Sequence, residues 1–409
     1  MIDSISDIFE IAAARYLSAV DADRDRSNQH EIGGLPSVGF KQVLGTPDKS
    51  EKYYYPCTMA YITDDEEPVE IVNDEVSWYD CRWKNANRRP EYRLYYRDNL
   101  VTLNIAEGDL MVIAKKKTGD LVLLFAPQDS SASLQLQYLF GLPSALRLEF
   151  DKAEMPAQSL SLPIKYLLED IGVEAIEPDD EGNDLEIMLQ RFANRFPPTS
   201  EFSKLARELE PADPRAQPDQ SLLAWMEREE MLFRTYERHV VSERLCQGFG
   251  PNGDDVDEFI SFSLSVQNRR KSRVGHAFEH HLGQVFSEHG LRFEKGSGKK
   301  VTENKSKPDF MFPGFGEYHD PEFPESKLFL LGAKTTCKDR WRQVLSEGQR
   351  LMKKHLATIE PGITETQTNE MKAQGLQLVV PEPVQNSYNG DQQRWLASLI
   401  DFITEVQQS

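Results

Sequence analysis

A chain of 409 residues exceeds one ordinary domain, and 39% hydrophobic with 28% charged residues is the composition of a globular protein able to build two cores. No apolar run approaches the roughly 20 residues of a helical membrane span, and the start, MIDSISDIFEIAAARYL, lacks the basic segment of a secretory signal, so a cytoplasmic location is expected. The net charge of −20 argues on its face against a nucleic-acid partner.

That opening segment predicts an amphipathic helix capped by Ser4 or Ser6. Residues 32–150 then read mainly as strands, with β-branched or aromatic runs at Tyr53 to Ile62, Tyr92 to Tyr96, Leu110 to Ala114 and Leu121 to Phe125. The last two are joined by Lys115 to Asp120, a hairpin connection with Gly119 where positive φ is wanted. An all-β module in the form of a small barrel is expected here. The stretch 172–188 is acidic and poor in large apolar residues, which marks a linker, and the Pro-rich stretch 209–221 reads as a loop.

Beyond it the pattern changes. Residues 222–246 and 255–267 read as helices, and 272–289 carries Val274, Phe278, Leu282, Val285 and Phe286 at helical spacing. A basic loop follows, then a short strand around Pro308-Asp309-Phe310-Met311-Phe312 and a strand from Leu328 to Lys334. A helix holding Arg342, Leu345 and Glu347 and a last strand at 376–381 complete a mixed α/β core. The four cysteines (Cys57, Cys81, Cys246, Cys337) form no metal-ligand or disulfide spacing and read as free thiols.

The acidic total conceals two basic islands, and a DNA backbone responds to the local field. Between Arg82 and Arg97 six basic residues stand against Glu91 alone; between Arg269 and Asp309 ten stand against five acids. Each island is read either as a solvated face or as a nucleic-acid contact.

Phosphodiester hydrolysis needs a divalent cation to neutralise developing charge, and a protein cation near the scissile phosphate. Hard Mg²⁺ selects oxygen ligands, typically one or two carboxylates with waters. An Asp at the start of one strand and a Lys at the end of the next put both groups at one sheet edge, and Pro308-Asp309 and Lys334 have that arrangement. The spacing alone also fits an Asp in a turn and a surface Lys.

Several segments in one order carry more information: Asn268-Arg269-Arg270-Lys271-Ser272-Arg273, Lys307-Pro308-Asp309-Phe310, Tyr318-His319-Asp320, Glu322-Phe323-Pro324 and the run from Lys334 to Gln343. Together they resemble the EcoRII-type restriction endonucleases, which cut CC-x-GG sites and belong to the PD-(D/E)xK nucleases. The resemblance covers roughly residues 195–382, and the N-terminal half more faintly through Glu31 to Ser37 and the Arg82–Arg97 island.

It implies an α+β protein of two domains: a B3-like β-pseudobarrel effector domain over 1–172, an acidic linker over 173–194 and a restriction-endonuclease-like catalytic domain over 195–409. It implies a Mg²⁺-dependent enzyme that cuts double-stranded DNA and binds a second copy of its site through the N-terminal domain; a homodimer is expected because a palindrome with two scissile bonds is matched by a two-fold protein. Two residues before Lys334, where the usual pattern has an acid, stands Gly332; the family implies that Glu347 takes over, binding metal with Asp309. By the same resemblance Glu279 orients a water, Tyr318 lies near the active site, and Lys338, Asp339 and Arg340 read G·C pairs, with Arg269, Arg270 and Arg273 as further contacts. Arg342 is assigned to phosphate or to a neighbouring acid, and Trp341 to the core or to base stacking. The N-terminal grip on DNA would come from Arg24, Arg26, His30, Arg82, Trp83, Lys84, Arg88 and Arg89. Trp225-Met226-Glu227-Arg228 departs from the arginine-rich helix start of the family, so the family's base preference at the outer or central positions is not carried over to this chain. A nuclease acting only on modified DNA and a non-catalytic DNA-binding regulator remain as alternatives.

Overall fold

The computed structural model describes residues 4–22, 30–65, 69–85, 87–143, 146, 148–156, 160–173, 175, 183–192 and 195–409, with only the backbone for Asn304 and Asp339. The chain divides into two compact units, Met1–Ala175 with Gly362–Thr364, and Ile176–Pro361 with Glu365–Ser409. Among the described residues no helix is long and apolar enough to cross a membrane.

The first unit is built on one eight-stranded sheet. Its strands are β1 (Phe9–Tyr16), β2 (Glu31–Ile32), β3 (Lys52–Tyr61), β4 (Glu70–Asp80), β5 (Tyr92–Tyr95), β6 (Leu110–Lys116), β7 (Leu121–Ala126) and β8 (Asp151–Lys152), in the order β2-β5-β4-β3-β7-β6-β1-β8. All neighbours run antiparallel except β3 and β7. The β6–β7 hairpin turns at Gly119 with φ +111°, as the sequence implied.

The first expectation fails here. The opening segment gives one helical turn, Ile5–Ile8, and then continues as β1. Alanine favours helix in isolation, but tertiary packing overrides that preference. Ala12 and Ala14 enter one core while Ile11 and Ala13 enter another, so small side chains let a central strand be covered on both faces. The all-β expectation also fails, because helices α1 (Ser131–Phe140) and α2 (Leu162–Asp170) contribute Leu136, Phe140, Ile164 and Leu168 to the core that holds Ala12 and Ala14.

In the second unit the supposed linker ends in a helix, α3 (Asp184–Phe192), whose Met188 is fully buried among residues of α4 (Thr199–Leu209) and α5 (Pro218–Gln247). Its Leu185, Met188, Leu189 and Phe192 recur at helical spacing, which the acidic composition masks. The helices expected over 255–267 and 272–289 are one, α6 (Val256–Glu288). Basic residues between them are held helical by pairing with α5: Arg270 Nε meets Glu237 at 2.6 Å, and Arg273 meets Glu229 and Glu230.

A four-stranded sheet lies against the C-terminal half of α6. Its strands are β9 (Phe310–Phe312), β10 (Phe329–Ala333), β11 (Lys354–Ala357) and β12 (Leu376–Val379), in the order β12-β11-β10-β9. β9 is antiparallel to β10, while β10, β11 and β12 are mutually parallel. Phe286 of α6 packs its ring against Phe310, Phe312 and Phe402 with centroids 5.2–5.8 Å apart. This mixed α/β core fixes the sheet edge that carries the candidate site.

Candidate active site

Antiparallel pairing of Leu331 with Phe310 brings the residue before β9 beside the end of β10. Asp309 Oδ2 accepts hydrogen bonds from the Ala333 amide at 2.7 Å and from Lys334 Nζ at 3.0 Å. Lys334 is anchored on its other side, where its amide donates to the Ala357 carbonyl at 3.0 Å, extending the β10–β11 ladder. Two sequence-predicted residues therefore meet, each held by backbone as well as by side chain.

Glu347 joins them from another direction. It caps the C-terminus of α7 (Trp341–Ser346) in extended conformation, one residue beyond the helix that was expected to hold it. Only 7% of it is exposed. Burial first, and then the nearby Asp309 charge, push its carboxyl up from 4.5 to about 7, against the opposing pull of Lys334 and Lys354. The next residue, Gly348, takes φ +59°, and a Cβ there would stand 2.6 Å from Leu330 Cδ1, so only glycine permits this turn.

The turn is braced by Tyr318, which the resemblance placed near the active site. Tyr318, 2% exposed, donates its hydroxyl to Glu303 at 2.6–2.7 Å, and the Glu303 carboxylate accepts from the Gln349 amide at 3.0 Å. Tyr318 thus acts as a support for the segment after Glu347; its hydroxyl is committed to Glu303 and not to Asp309 or Lys334.

Gly332 leaves no room for a side chain on β10. A Cβ at this position would lie 2.7 Å from Val344 Cγ2 and 3.3 Å from its Cγ1, so α7 packs where a side chain on β10 would have to go. A carboxylate at that position does not fit.

Glu279 of α6 faces the same edge. Its carboxyl is raised by burial and then by Asp309, with Lys295, His276 and Lys334 acting the other way. Lys295, missed in the sequence except as part of a basic run, donates to the Glu279 carbonyl at 3.2 Å and lies 3.5 Å from its carboxylate. It arrives because Glu294 pairs with Met311 and the Gly296 amide donates to the Pro308 carbonyl at 2.9 Å. A Cβ at Gly296 would meet Lys307 Cα at 2.7 Å, so the close backbone approach needs glycine. The Phe293-Glu294-Lys295-Gly296 sequence carries no local sign of this pairing.

Oxygen donors only, with like-charge repulsion between Asp309 and both glutamates, make a set that a hard divalent cation would relieve. No group of three or more His, Cys, Asp or Glu forms a ready-made cage among the described residues. A Mg²⁺ site built from two carboxylates and waters needs none, so the residues fit that ion.

The remaining predicted residues scatter. Lys338 and Arg340 follow Lys334 in a short 3-10 turn with Asp339, and both are partly exposed. Lys338 adopts φ +36°, a left-handed conformation rare for a residue with a side chain and found disproportionately at functional positions. The Glu360 carboxylate secures the turn by accepting from the Cys337 amide. Arg342 pairs with Glu370 at 2.7 Å, and Trp341 is fully buried. Arg273 is corrected outright: 3% exposed and clasped by Glu229 and Glu230, it offers no surface to DNA. Arg269 stacks over the Phe196 ring at 3.9 Å, and Arg270 keeps 46% of its side chain exposed while paired with Glu237.

In the first unit, Arg82, Trp83, Lys84, Arg88 and Arg89 fall in the exposed connection between β4 and β5. Arg82 pairs with Glu91, and Lys84 lies 5.3 Å from the Trp83 ring centroid. His30 rests against the Tyr96 ring and 3.6 Å from Asp98. Arg24 and Arg26 lie outside the described residues.

Residues 233–403 match the family described as EcoRII C terminal. The type II restriction enzyme EcoRII of Escherichia coli is 43% identical over 189 residues, covering 46% of this chain and 45% of that enzyme, so the match spans under half of either protein. Among solved structures, metal-depleted Ecl18kI in complex with uncleaved, modified DNA aligns with a TM-score of 0.44 and 17% identity, over 55% of this chain and 83% of that one. A PspGI-substrate DNA complex aligns with a TM-score of 0.42 and 18% identity, over 54% and 96%.

Proposed function

We propose, from the premise that residues 233–403 form an EcoRII C-terminal domain, that the chain is a type II restriction endonuclease hydrolysing double-stranded DNA with Mg²⁺. The observation that carries this reading is the junction of Asp309 and Lys334 at 3.0 Å with Glu347 beside them, its acidity governed by burial and by Asp309. In this reading Asp309 and Glu347 hold the cation. Bound there, Mg²⁺ would offset the charge developing on the scissile phosphate and make the attacking water more acidic.

The protein's own groups do the rest. Lys334, fixed by the β10–β11 ladder and by Asp309, presents an ammonium to the phosphate as its negative charge grows. Glu279, steered by Lys295, orients the incoming water by accepting a hydrogen bond. Lys338, Asp339 and Arg340 lie four to six residues after Lys334, so recognition shares an element with cleavage. Their lysine and arginine suit guanine O6 and N7, and their carboxylate suits the cytosine amino group, as a CC-x-GG site requires.

The first unit takes the role of a B3-like pseudobarrel that binds a second DNA site. Its exposed β4–β5 connection brings Arg88, Arg89, Lys84 and the flat ring of Trp83 together, with His30 as a further contact. A homodimer follows from the task, since a palindromic site has two scissile bonds related by a two-fold axis.

Lys334→Ala tests the reading. Supercoiled plasmid incubated with this variant and Mg²⁺ should stay intact while a gel-shift assay shows the DNA still bound, and nicking at the wild-type rate would refute the assignment. Sequencing the ends of plasmid cut by the wild type then reads out the site itself.

A further inference from the structure

The α5–α6 hairpin ends in an apolar surface that the catalytic reading leaves unused. Its tip is cross-linked by contacts: Glu258 accepts from Arg244 at 2.6 Å and from the Gly250 amide at 2.8 Å, while Arg244 covers the Phe249 ring at 4.3 Å and Phe259 meets that ring edge-on. Beyond this plug, α6 exposes Val256 (65%), Ile260 (48%) and Leu264 (53%) along one stripe. Large apolar side chains presented in a row on a firm helix mark an interaction surface more often than scattered ones do.

The charges flanking the stripe identify the occupant. Asp257 and Lys271 lie seven residues before and after Leu264, both exposed, and neither forms an ion pair among the described residues. The positions 257, 260, 264, 267 and 271 alternate by three and four residues, the spacing with which one helix meets another. Laid antiparallel on a second copy of itself with Leu264 on the two-fold axis, the helix sets Asp257 against Lys271 at both ends. Ile260 then meets the Gln267 and Asn268 stems, and Leu264 meets Leu264. Self-complementarity of this kind is what an isologous interface demands.

We propose that the Val256–Lys271 face of α6, about 24 Å long at 1.5 Å per residue, pairs antiparallel with the same face of a second copy. The proposal rests on the dimeric reading given above and adds the surface that forms the dimer. Both copies would present an apolar centre with a charged rim, the usual anatomy of a specific interface.

Sedimentation velocity of the full chain at low micromolar concentration tests it, using Leu264→Asp, Asp257→Lys, Lys271→Asp and the double exchange Asp257→Lys/Lys271→Asp. All three sites are exposed, and circular dichroism checks that helix content is kept. Leu264→Asp changes both sides of the axis and should weaken dimerisation about 100-fold or more. Each single charge reversal should weaken it, and the double exchange should recover the wild-type constant. A wild type that is monomeric overturns both this face and the dimeric reading, leaving the cleavage chemistry standing. A dimeric wild type whose Leu264→Asp and Asp257→Lys variants dimerise equally well overturns this face alone. Loss in Leu264→Asp without recovery in the double exchange overturns the antiparallel register.

Discussion

Glu347 offers the sharpest physical test, because its environment penalises its charge. In metal-free protein the carboxyl ionises near pH 7 instead of 4.5, first because it is buried and second because Asp309 is close. A folded-state pKa above the unfolded one means that the native state binds the proton more tightly. Its contribution to stability is therefore full below about pH 4.5 and is lost as pH rises through about 7. At roughly 1.36 kcal/mol per pH unit the displacement amounts to about 3 kcal/mol. Glu347→Gln keeps the shape but cannot ionise. In EDTA the two proteins should match to about 1 kcal/mol at pH 5 and diverge by pH 8 to about 3 kcal/mol in favour of the variant, or about 6–12 °C in Tm for a unit of this size. Thermal melts at unit pH intervals measure the divergence. Adding Mg²⁺ at pH 8 should raise the wild-type Tm and leave the variant nearly unmoved. A constant offset between the two melting curves from pH 5 to 8 would refute the reasoning, since no charge penalty would then reside at Glu347.

Three further outcomes follow from the packing. Gly332→Asp, which restores the usual acid position in sequence, should lower stability by roughly 1–3 kcal/mol because its Cβ enters the space of Val344, and it should not preserve cleavage; an active, equally stable variant in urea titration would contradict the steric account. Arg273→Ala removes one of the partners of the buried Glu229 and Glu230, leaving Glu229 with His281 and Glu230 with Arg234, and should cost about 2–4 kcal/mol by urea denaturation; a loss below about 1 kcal/mol would contradict the buried pairing. Lys295→Met should slow cleavage in single-turnover assays without changing DNA affinity, since Lys295 acts on Glu279 and not on the DNA; an unchanged rate would remove it from the site.

The legible and illegible parts of the sequence separate along physical lines. Asp309 and Lys334 could be paired in advance because an antiparallel strand pair has a fixed register, and apolar runs betray both strands. The helix assigned to the start of the chain failed where alanines serve a strand covered on both faces, a circumstance decided by partners far away in sequence. The break assumed between residues 267 and 272 failed for a similar reason: a run of arginines looks solvent-bound until buried glutamates on α5 claim it. β4 was overlooked because its Glu70-to-Asp80 sequence carries four acidic residues, yet its ten-residue register with β3 holds it in the sheet. Lys295 had no signal at all, since its position depends on an irregular pairing of Glu294 with Met311 that no periodicity announces.

The absent acid at Gly332 joins these two kinds of information. In sequence it is a gap that weakens the nuclease motif. In the fold it is the condition for α7 to close onto β10, because Val344 occupies the volume a side chain would take. At the C-terminus of α7, Gly348 turns the chain, and Glu347 lies close enough to Asp309 to feel its charge. An acid placed on β10 at this position would meet Val344 of α7, so volume opposes it before any question of charge arises.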